Sequence, residues 1–433
     1  MAAKKKKVAK KAATKTAAAA QPRPVAVATT TLPKVREQVV DKTRQASLRN
    51  FLGQMKSAGS TVMVASEATS TYGLRRPSGI MQLDIDCAGG LPAGGLCTIV
   101  GPDGTGKSEL LYLYMAQHQR IYGHDSRVAI CHTEGQFDFW RAKRMGLQVA
   151  IPKSLIEERR ANRAARNQPD LTTEEIEYLQ FGIGDFVFLG GNSGEDKLDV
   201  VLAAVASDAF GLIGIDSLQG LIPQVDSDKE MDEREVRAAF ATMITKFMKH
   251  YIPLTAGLSK PNYTSLVAVS QVRSNPDKGT NPYAPDFVAQ LARAMKHYHL
   301  IEITTTSGQQ IRKAIKGENV TIGKELKWKI TKGKAGAHDH VSGSTSLTYP
   351  EYSPSGRGID TVGSAVITGI RYGVIREHPT TGKAIIVRPS EDREINSSPS
   401  VAALQAIMEV DPEFDYEIRQ EILLAAGVDC RYR

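Results

Sequence analysis

The sequence predicts an α/β fold: a mostly parallel sheet lying between layers of helices. Three observations carry this. Strand-like runs at 127–132, 212–217 and 266–271 are separated by helical stretches at 197–209 and 235–250. Those runs are apolar on both faces, as strands of a parallel sheet covered on both sides must be. A glycine-rich loop, 101–108, joins the apolar run Leu96-Cys97-Thr98-Ile99-Val100 to a helical pattern opening at Glu109-Leu110-Leu111. Strand, loop and helix in that order form one unit of such a fold.

Residues 1–36 hold eight lysines, two arginines and no acid, with prolines at 22, 24 and 33. Such a composition cannot bury a core. It reads as a disordered solubilising tail, as a basic arm gripping phosphates, or as an organelle transit peptide. The Lys4-Lys5-Lys6-Lys7 block weighs against the last, because transit peptides favour arginine and serine. The tail carries more positive charge than the whole chain's net +8, so the remainder is slightly acidic in sum. Any nucleic-acid surface in the folded part is therefore local.

Between 37 and 56, Val39, Val40, Ala46, Leu48, Phe51, Leu52 and Met55 recur every three to four positions, the spacing of an amphipathic helix. Gly59-Ser60 ends it, and Thr61-Val62-Met63-Val64 forms a short β-type run. The 37–76 segment has little chain of its own to pack on, so it either folds back on the core or docks on a neighbouring copy. A core follows at 77–340. It is interrupted at about 151–184 by a charged helical segment near 155–166, the turn Asn167-Gln168-Pro169-Asp170, and a capping box formed by Thr172 and Glu175. Strands resume at 186–189, a β-rich stretch runs from 300 to 334, and 341–433 is a small C-terminal α/β domain with helices at 401–409 and 416–426. No run approaches the roughly 20 apolar residues of a membrane span. Four cysteines lack any CxxC pair, and three lie in or beside apolar strand-like stretches, which suits buried thiols in a reducing compartment.

The loop Gly101-Pro102-Asp103-Gly104-Thr105-Gly106-Lys107-Ser108 matches G-x-x-x-x-G-K-[ST] at every fixed position. Its glycines let backbone N–H groups turn inward toward phosphate, and the following helix adds the positive end of its dipole. Lys107 is expected to reach the β- and γ-phosphates of a nucleoside triphosphate, and Ser108 to ligate Mg²⁺. The apolar strand ending in Ile215-Asp216-Ser217 delivers a second Mg²⁺-shell group, the Asp216 carboxylate. Glu134, ending the strand after the loop helix, either activates the attacking water or is a solvent-facing turn carboxylate.

From about Leu52 to the C-terminus the chain resembles bacterial-type RecA recombinases. The resemblance rests on Leu52-Gly53-Gln54, Ser60-Thr61-Val62-Met63, Leu83-Asp84-Ile85, Gly89-Gly90-Leu91-Pro92, the phosphate loop, Ile215-Asp216-Ser217, Ser270-Gln271-Val272-Arg273 and Ile330-Thr331-Lys332-Gly333-Lys334. It implies a RecA-like P-loop ATPase core, with 37–76 as a polymerisation element and ATP and Mg²⁺ as cofactors. It makes Glu134 the catalytic carboxylate and Gln271 the γ-phosphate sensor. Lys332 and Lys334 would then reach across a subunit interface to the neighbour's γ-phosphate. Trp140 lies within one position of the adenine-stacking aromatic, with a core tryptophan as the alternative. DNA contact is implied in two loops. One, at about 224–236, is acidic and includes Arg234; the other, at about 272–290, includes Arg273 and Lys278. Pro276, Pro282 and Pro285 depart from the glycine- and threonine-rich pattern there. The 151–184 insertion is a second departure, and a third is the ending Cys430-Arg431-Tyr432-Arg433 in place of an acidic tail; with the basic N-terminal tail, this implies readier binding of duplex DNA.

The implied activity is an ATP-dependent, DNA-dependent recombinase. It would form helical homo-oligomeric filaments on single-stranded DNA and exchange it with a homologous duplex in recombinational repair, in a nucleoid-associated cytoplasmic setting. The rival readings are a hexameric helicase of the same fold and a filament accessory protein that does not hydrolyse ATP.

Overall fold

The computed structural model describes residues 73–428, apart from 123–126, 149–152, 174, 177–185, 225–232, 256–261, 275–286, 290–292, 350–351, 353–357 and 390, together with scattered positions between 47 and 57. By contacts the chain divides into units 1–63 and 64–433. In the first unit Ser47, Arg49, Asn50, Phe51, Gly53 and Gln54 are helical, within the stretch whose spacing predicts a helix; Ser57, one residue past it, is helical too, and its Oγ donates to Gly53 O at 2.8 Å. The basic tail and the short β-type run at 61–64 lie outside the described residues.

The second unit begins with a small antiparallel pair, β1 (Arg75–Arg76) and β2 (Leu91–Pro92). Its main sheet contains β3 (Leu96–Gly101), β4 (Val128–His132), β5 (Phe186–Phe188), β6 (Leu212–Asp216), β7 (Ser265–Ser274), β8 (Phe287–Ala289), β9 (Ile301–Ile315), β10 (Glu318–Gly333) and β11 (Ser342–Thr348). The order is β11-β10-β9-β3-β7-β6-β4-β5, with β8 added to β7. From β9 to β5 neighbouring strands are parallel; the β9–β10–β11 edge and the β7–β8 pair are antiparallel. The fold is thus α/β with a mixed, mostly parallel sheet.

Alternation along each strand assigns side chains to two faces. Cys97 and Ile99 join one buried cluster with Val128, Ile130, Val267 and Val269; Leu96 and Val100 join the opposite cluster with Ala129, Cys131, Ile213, Ile215, Leu266 and Ala268. The first face is covered by the helix Lys107–Tyr122, whose Leu110, Leu111, Tyr114 and Met115 are fully buried. The second face is covered by the helices Gly194–Ala206 and Glu233–Thr255 through Leu198, Val201, Ile244, Phe247 and Met248. Each such large apolar side chain contributes about 1.5–3 kcal/mol on leaving water. Cys87, Cys97 and Cys131 are buried free thiols.

Helix starts differ from the periodicity where a cap decides them. Gly194–Ala206 begins three residues before the predicted 197, because Ser193 and Asp196 form a reciprocal capping box. Pro412–Ala425 begins four residues before the predicted 416, because Asp411 caps the backbone N–H groups of Glu413 and Phe414 and Pro412 occupies the first turn. The capping box expected at Thr172 and Glu175 is present in both directions, at 2.8 and 3.1 Å.

A third cluster unites the helices Thr361–Arg371, Val401–Val410 and Pro412–Ala425 with a small antiparallel sheet of β12 (Ile375–Glu377), β13 (Ala384–Arg388) and β14 (Arg393–Ser398). Met81 and Ile85, from the helix Met81–Asp86, belong to this cluster. Arg419 ties the same places together through Gly79 O, Thr361 O and Asp415, each at 2.9 Å. No helix among the described residues is long and apolar enough to cross a membrane.

Candidate functional site

β3 ends at Gly101, between β7 and β9, and the glycine-rich loop springs from there. A Cβ on Gly101 would collide with Thr305, and one on Gly106 would collide with Leu326 Cδ1. Gly106 also has φ +92° and Gly104 φ +69°, which favour glycine. A Cβ on Gly104 would meet nothing within 4 Å, so the loop's crest is open. Thr105 Oγ1 donates to Pro102 O at 2.7 Å and shares a 2.9 Å hydrogen bond with Thr305 Oγ1. Lys107 is 8% exposed; its ammonium donates to Pro102 O at 2.7 Å and lies 3.8 Å from Asp103. Burial pulls its pKa down, while Asp103, Glu134, Asp216 and Glu109 pull it back up.

The carboxylates arrive on neighbouring strands. β4 and β6 end side by side, with His132 paired to Asp216. Ser108 Oγ donates to Asp216 Oδ1 at 3.2 Å and the Tyr112 hydroxyl to Oδ2 at 3.1 Å. Ser108 and Tyr112, four apart on one helix, share a face. Burial raises the Asp216 pKa, and these two donors oppose the rise. Glu134 Oε1 accepts from Ser217 Oγ and, at 3.4 Å, from Gln271 Nε2. Gln219 in turn fixes the start of this segment, taking the Gln271 N–H at 3.0 Å and donating to Ser270 Oγ at 2.9 Å.

Lys107, Ser108, Glu134, Asp216 and Gln271 therefore converge at the carboxyl ends of β3, β4, β6 and β7, where open α/β sheets bind ligands. The donor set suits Mg²⁺: a hydroxyl and a carboxylate, both hard oxygens. No group of three His, Cys, Asp or Glu side chains clusters among the described residues.

Trp140 sits on the helix Phe139–Arg144, capped by Asp138, and is 78% exposed, so it is not a core tryptophan. Its neighbour Arg141 turns the other way, donating to Glu109 Oε1 from Nε at 2.9 Å and from Nη2 at 2.7 Å. Beside this helix Phe137, Phe139, Phe186 and Phe188 form an edge-to-face ring cluster.

Lys332 and Lys334 are not brought to this loop. β10 runs antiparallel to β9, which places Lys332 opposite Glu302, level with Thr98. That is three residues before Gly101, about 10 Å along the sheet at the usual rise. The Lys334 N–H donates to Leu300 O at 2.8 Å, farther still toward the amino end. Burial lowers the Lys332 pKa, and neighbouring Lys334 lowers it further. Arg273 lies on β7 and Arg234 on the helix Glu233–Thr255, though their side chains, and all of Lys278, lie outside the described residues.

The lysines surround His299, which is 2% exposed, with its Nδ1 2.9 Å from Thr98 Oγ1. Burial, helped by Lys332, Lys334 and Lys296, pulls its pKa down to about 3; Glu302 Oε2 lies 3.8 Å from its Nε2. The ring is thus neutral in the folded protein but titrates near 6.5 in the unfolded chain. The stability this provides is complete above pH 6.5 and is lost as pH falls toward 3, at up to about 1.4 kcal/mol per pH unit. Urea midpoints are expected to fall between pH 7 and 4.5, and less steeply in His299→Gln. Equal slopes for the two proteins would refute this.

Several residues of the site carry weak signals in the sequence or none. Tyr112 is marked only by its i,i+4 spacing from Ser108, and Ser217 only by its position directly after Asp216. Arg141, Thr305 and Lys324 have no local signal.

A family model described as the RecA N-terminal domain matches residues 171–351, a span containing Asp216, Gln271, Lys332 and Lys334. Protein RecA of Ruminococcus albus is 28% identical over 302 residues, covering 70% of this chain and 62% of that protein; the chain thus spans less than two thirds of that relative. Protein RecA of Thermus thermophilus is 27% identical over 352 residues, 81% of this chain and 85% of that protein. Protein RecA of Oleidesulfovibrio alaskensis is 24% identical over 340 residues, 78% of this chain and 81% of that protein.

Proposed function

We propose, from the premise that this chain is a divergent RecA-type protein, that it is a DNA-dependent ATPase. It polymerises on single-stranded DNA and pairs and exchanges that strand with a homologous duplex. The observation carrying the ATPase reading is the convergence of Lys107, Ser108, Glu134, Asp216 and Gln271 beside one phosphate loop.

The residues divide the work by their chemistry. Inward N–H groups of the loop and the Lys107 ammonium hold phosphate oxygens. Ser108 and Asp216 would hold Mg²⁺, which when bound offsets charge developing on the phosphates. Glu134 Oε1 is fixed by the Ser217 hydroxyl and the Gln271 amide, while Oε2 has no partner among the described residues. Oε2 is the atom that takes a proton from the attacking water. Gln271 touches Glu134 and is followed on the same strand by Val272 and Arg273, so a change at the phosphate can pass along β7 to the DNA-binding segment. Trp140, exposed beside the site, stacks on adenine.

Lys332 and Lys334 act in trans. Their place three or more residues back along the sheet from Gly101 supports this, since neither ammonium meets its own loop there, whereas stacked copies can bring one copy's lysine pair to the next copy's loop. Two neighbouring ammonium groups, one with its pKa already lowered, favour an incoming anion.

Phosphate release with and without single-stranded DNA tests the proposal, together with exchange between circular single-stranded DNA and a homologous linear duplex. Turnover is expected to rise several-fold with DNA, and joint molecules to appear only with ATP. Turnover indifferent to DNA, with no joint molecules, would overturn it.

A further inference from the structure

The β9–β10 pair grips the phosphate loop from the side. Thr305 holds Thr105, Leu326 lies against Gly106, and Gly104 O accepts from Ser307 Oγ at 3.3 Å. The same oxygen accepts a second donor, the Lys324 ammonium. Strand alternation puts Lys324 and Leu326 on the loop's side of β10. Lys324 pairs in register with Gln310 and Leu347, 220 residues along the chain from Gly104.

A carbonyl already served by Ser307 does not need a full positive charge. Among the described residues Lys324 has no carboxylate within ion-pair distance, whereas Lys107 has Asp103 at 3.8 Å. An ammonium carries three protons, and only one is used on Gly104. The crest beside it is open, because Gly104 has free space where a side chain would stand.

We propose that Lys324 is a second cation of the nucleotide site, supplied in cis: it fixes the loop's crest through Gly104 and donates its remaining protons to an anionic oxygen of the bound polyphosphate. The ligand class is a nucleoside di- or triphosphate, so the proposal rests on the nucleotide reading of the loop. It makes two kinds of lysine serve one nucleotide. Lys107 and Lys324 come from the subunit that binds it, and Lys332 and Lys334 from the neighbour. Binding by an unassembled subunit then depends on Lys324, while turnover depends on all four.

The test is equilibrium binding of a fluorescent ATP analogue to the full chain without DNA, comparing wild type with Lys324→Met, Lys324→Arg and Lys107→Ala. Loss of one charge-assisted contact is expected to weaken binding by Lys324→Met about ten- to a hundredfold. Lys324→Arg should stay close to wild type, and salt should weaken wild-type binding more steeply than Lys324→Met binding. Thermal melting without nucleotide separates site from scaffold. Melting of Lys324→Met at the wild-type temperature with weakened binding supports the proposal. Melting that drops in parallel with binding makes Lys324 a structural residue and overturns it. Wild-type affinity in Lys324→Met, with binding lost in Lys107→Ala, overturns the role of Lys324 alone. Failure of wild type itself to bind overturns the nucleotide reading as well.

Discussion

Lys107→Ala is expected to lower ATP turnover about a hundred- to a thousandfold, the usual cost of removing one preorganised charge donor from a reacting centre. The basis is the burial of this ammonium among four carboxylates, Asp103, Glu109, Glu134 and Asp216. Removing it takes away a phosphate contact and the ammonium that offsets the charge of Asp103, Glu134 and Asp216, whereas Glu109 keeps Arg141, so nucleotide affinity falls together with turnover. Phosphate release is the measurement, and melting without nucleotide checks that the fold survives. A variant keeping more than a small fraction of wild-type turnover would show that the loop does not bind the reacting phosphate.

Lys332→Ala combined with Lys334→Ala is expected to abolish most DNA-stimulated turnover, by about 10³–10⁵-fold if the pair acts as a trans cation. Simple loss would not distinguish a trans role from a structural one, since Lys332 also donates to Lys296 O in its own chain. Mixing does. The double variant has an intact phosphate loop but no lysine pair, and Lys107→Ala has the reverse. In a head-to-tail polymer mixed equally from the two, about a quarter of the interfaces pair an intact loop with an intact lysine pair. Two inactive preparations should therefore regain a measurable share of turnover on DNA. No recovery would place the site within one subunit.

Part of this architecture is legible in the order of the residues alone. The phosphate loop is a contiguous segment whose glycines, lysine and serine specify its geometry locally, and Asp216 and Gln271 are readable as carboxyl ends of buried strands. Trp140 is harder. An aromatic on a short amphipathic helix is equally compatible with core and surface, and only its 78% exposure decides the matter. Arg141 is not legible at all, because its partner, Glu109, is 32 residues away. The segments expected to contact DNA, at 224–236 and 272–290, lie largely outside the described residues.

The sequence by itself determined that a glycine-rich loop joins a strand to a helix, and that this unit sits in a mostly parallel sheet covered on both faces. Those features follow from short-range spacing, glycine conformation and apolar periodicity. The tertiary structure decided which charges share that loop. Lys324 reaches Gly104, and Lys332 stands level with Thr98, three residues back along β3 from the loop, although both belong to β10. Strand direction and register cause the difference. β10 runs antiparallel to β9 with irregularities between Thr321 and Gly323, Lys324 and Leu326, and Ile330 and Lys332. No local pattern encodes such shifts, because a one-residue slip would carry each lysine to the other face of the sheet.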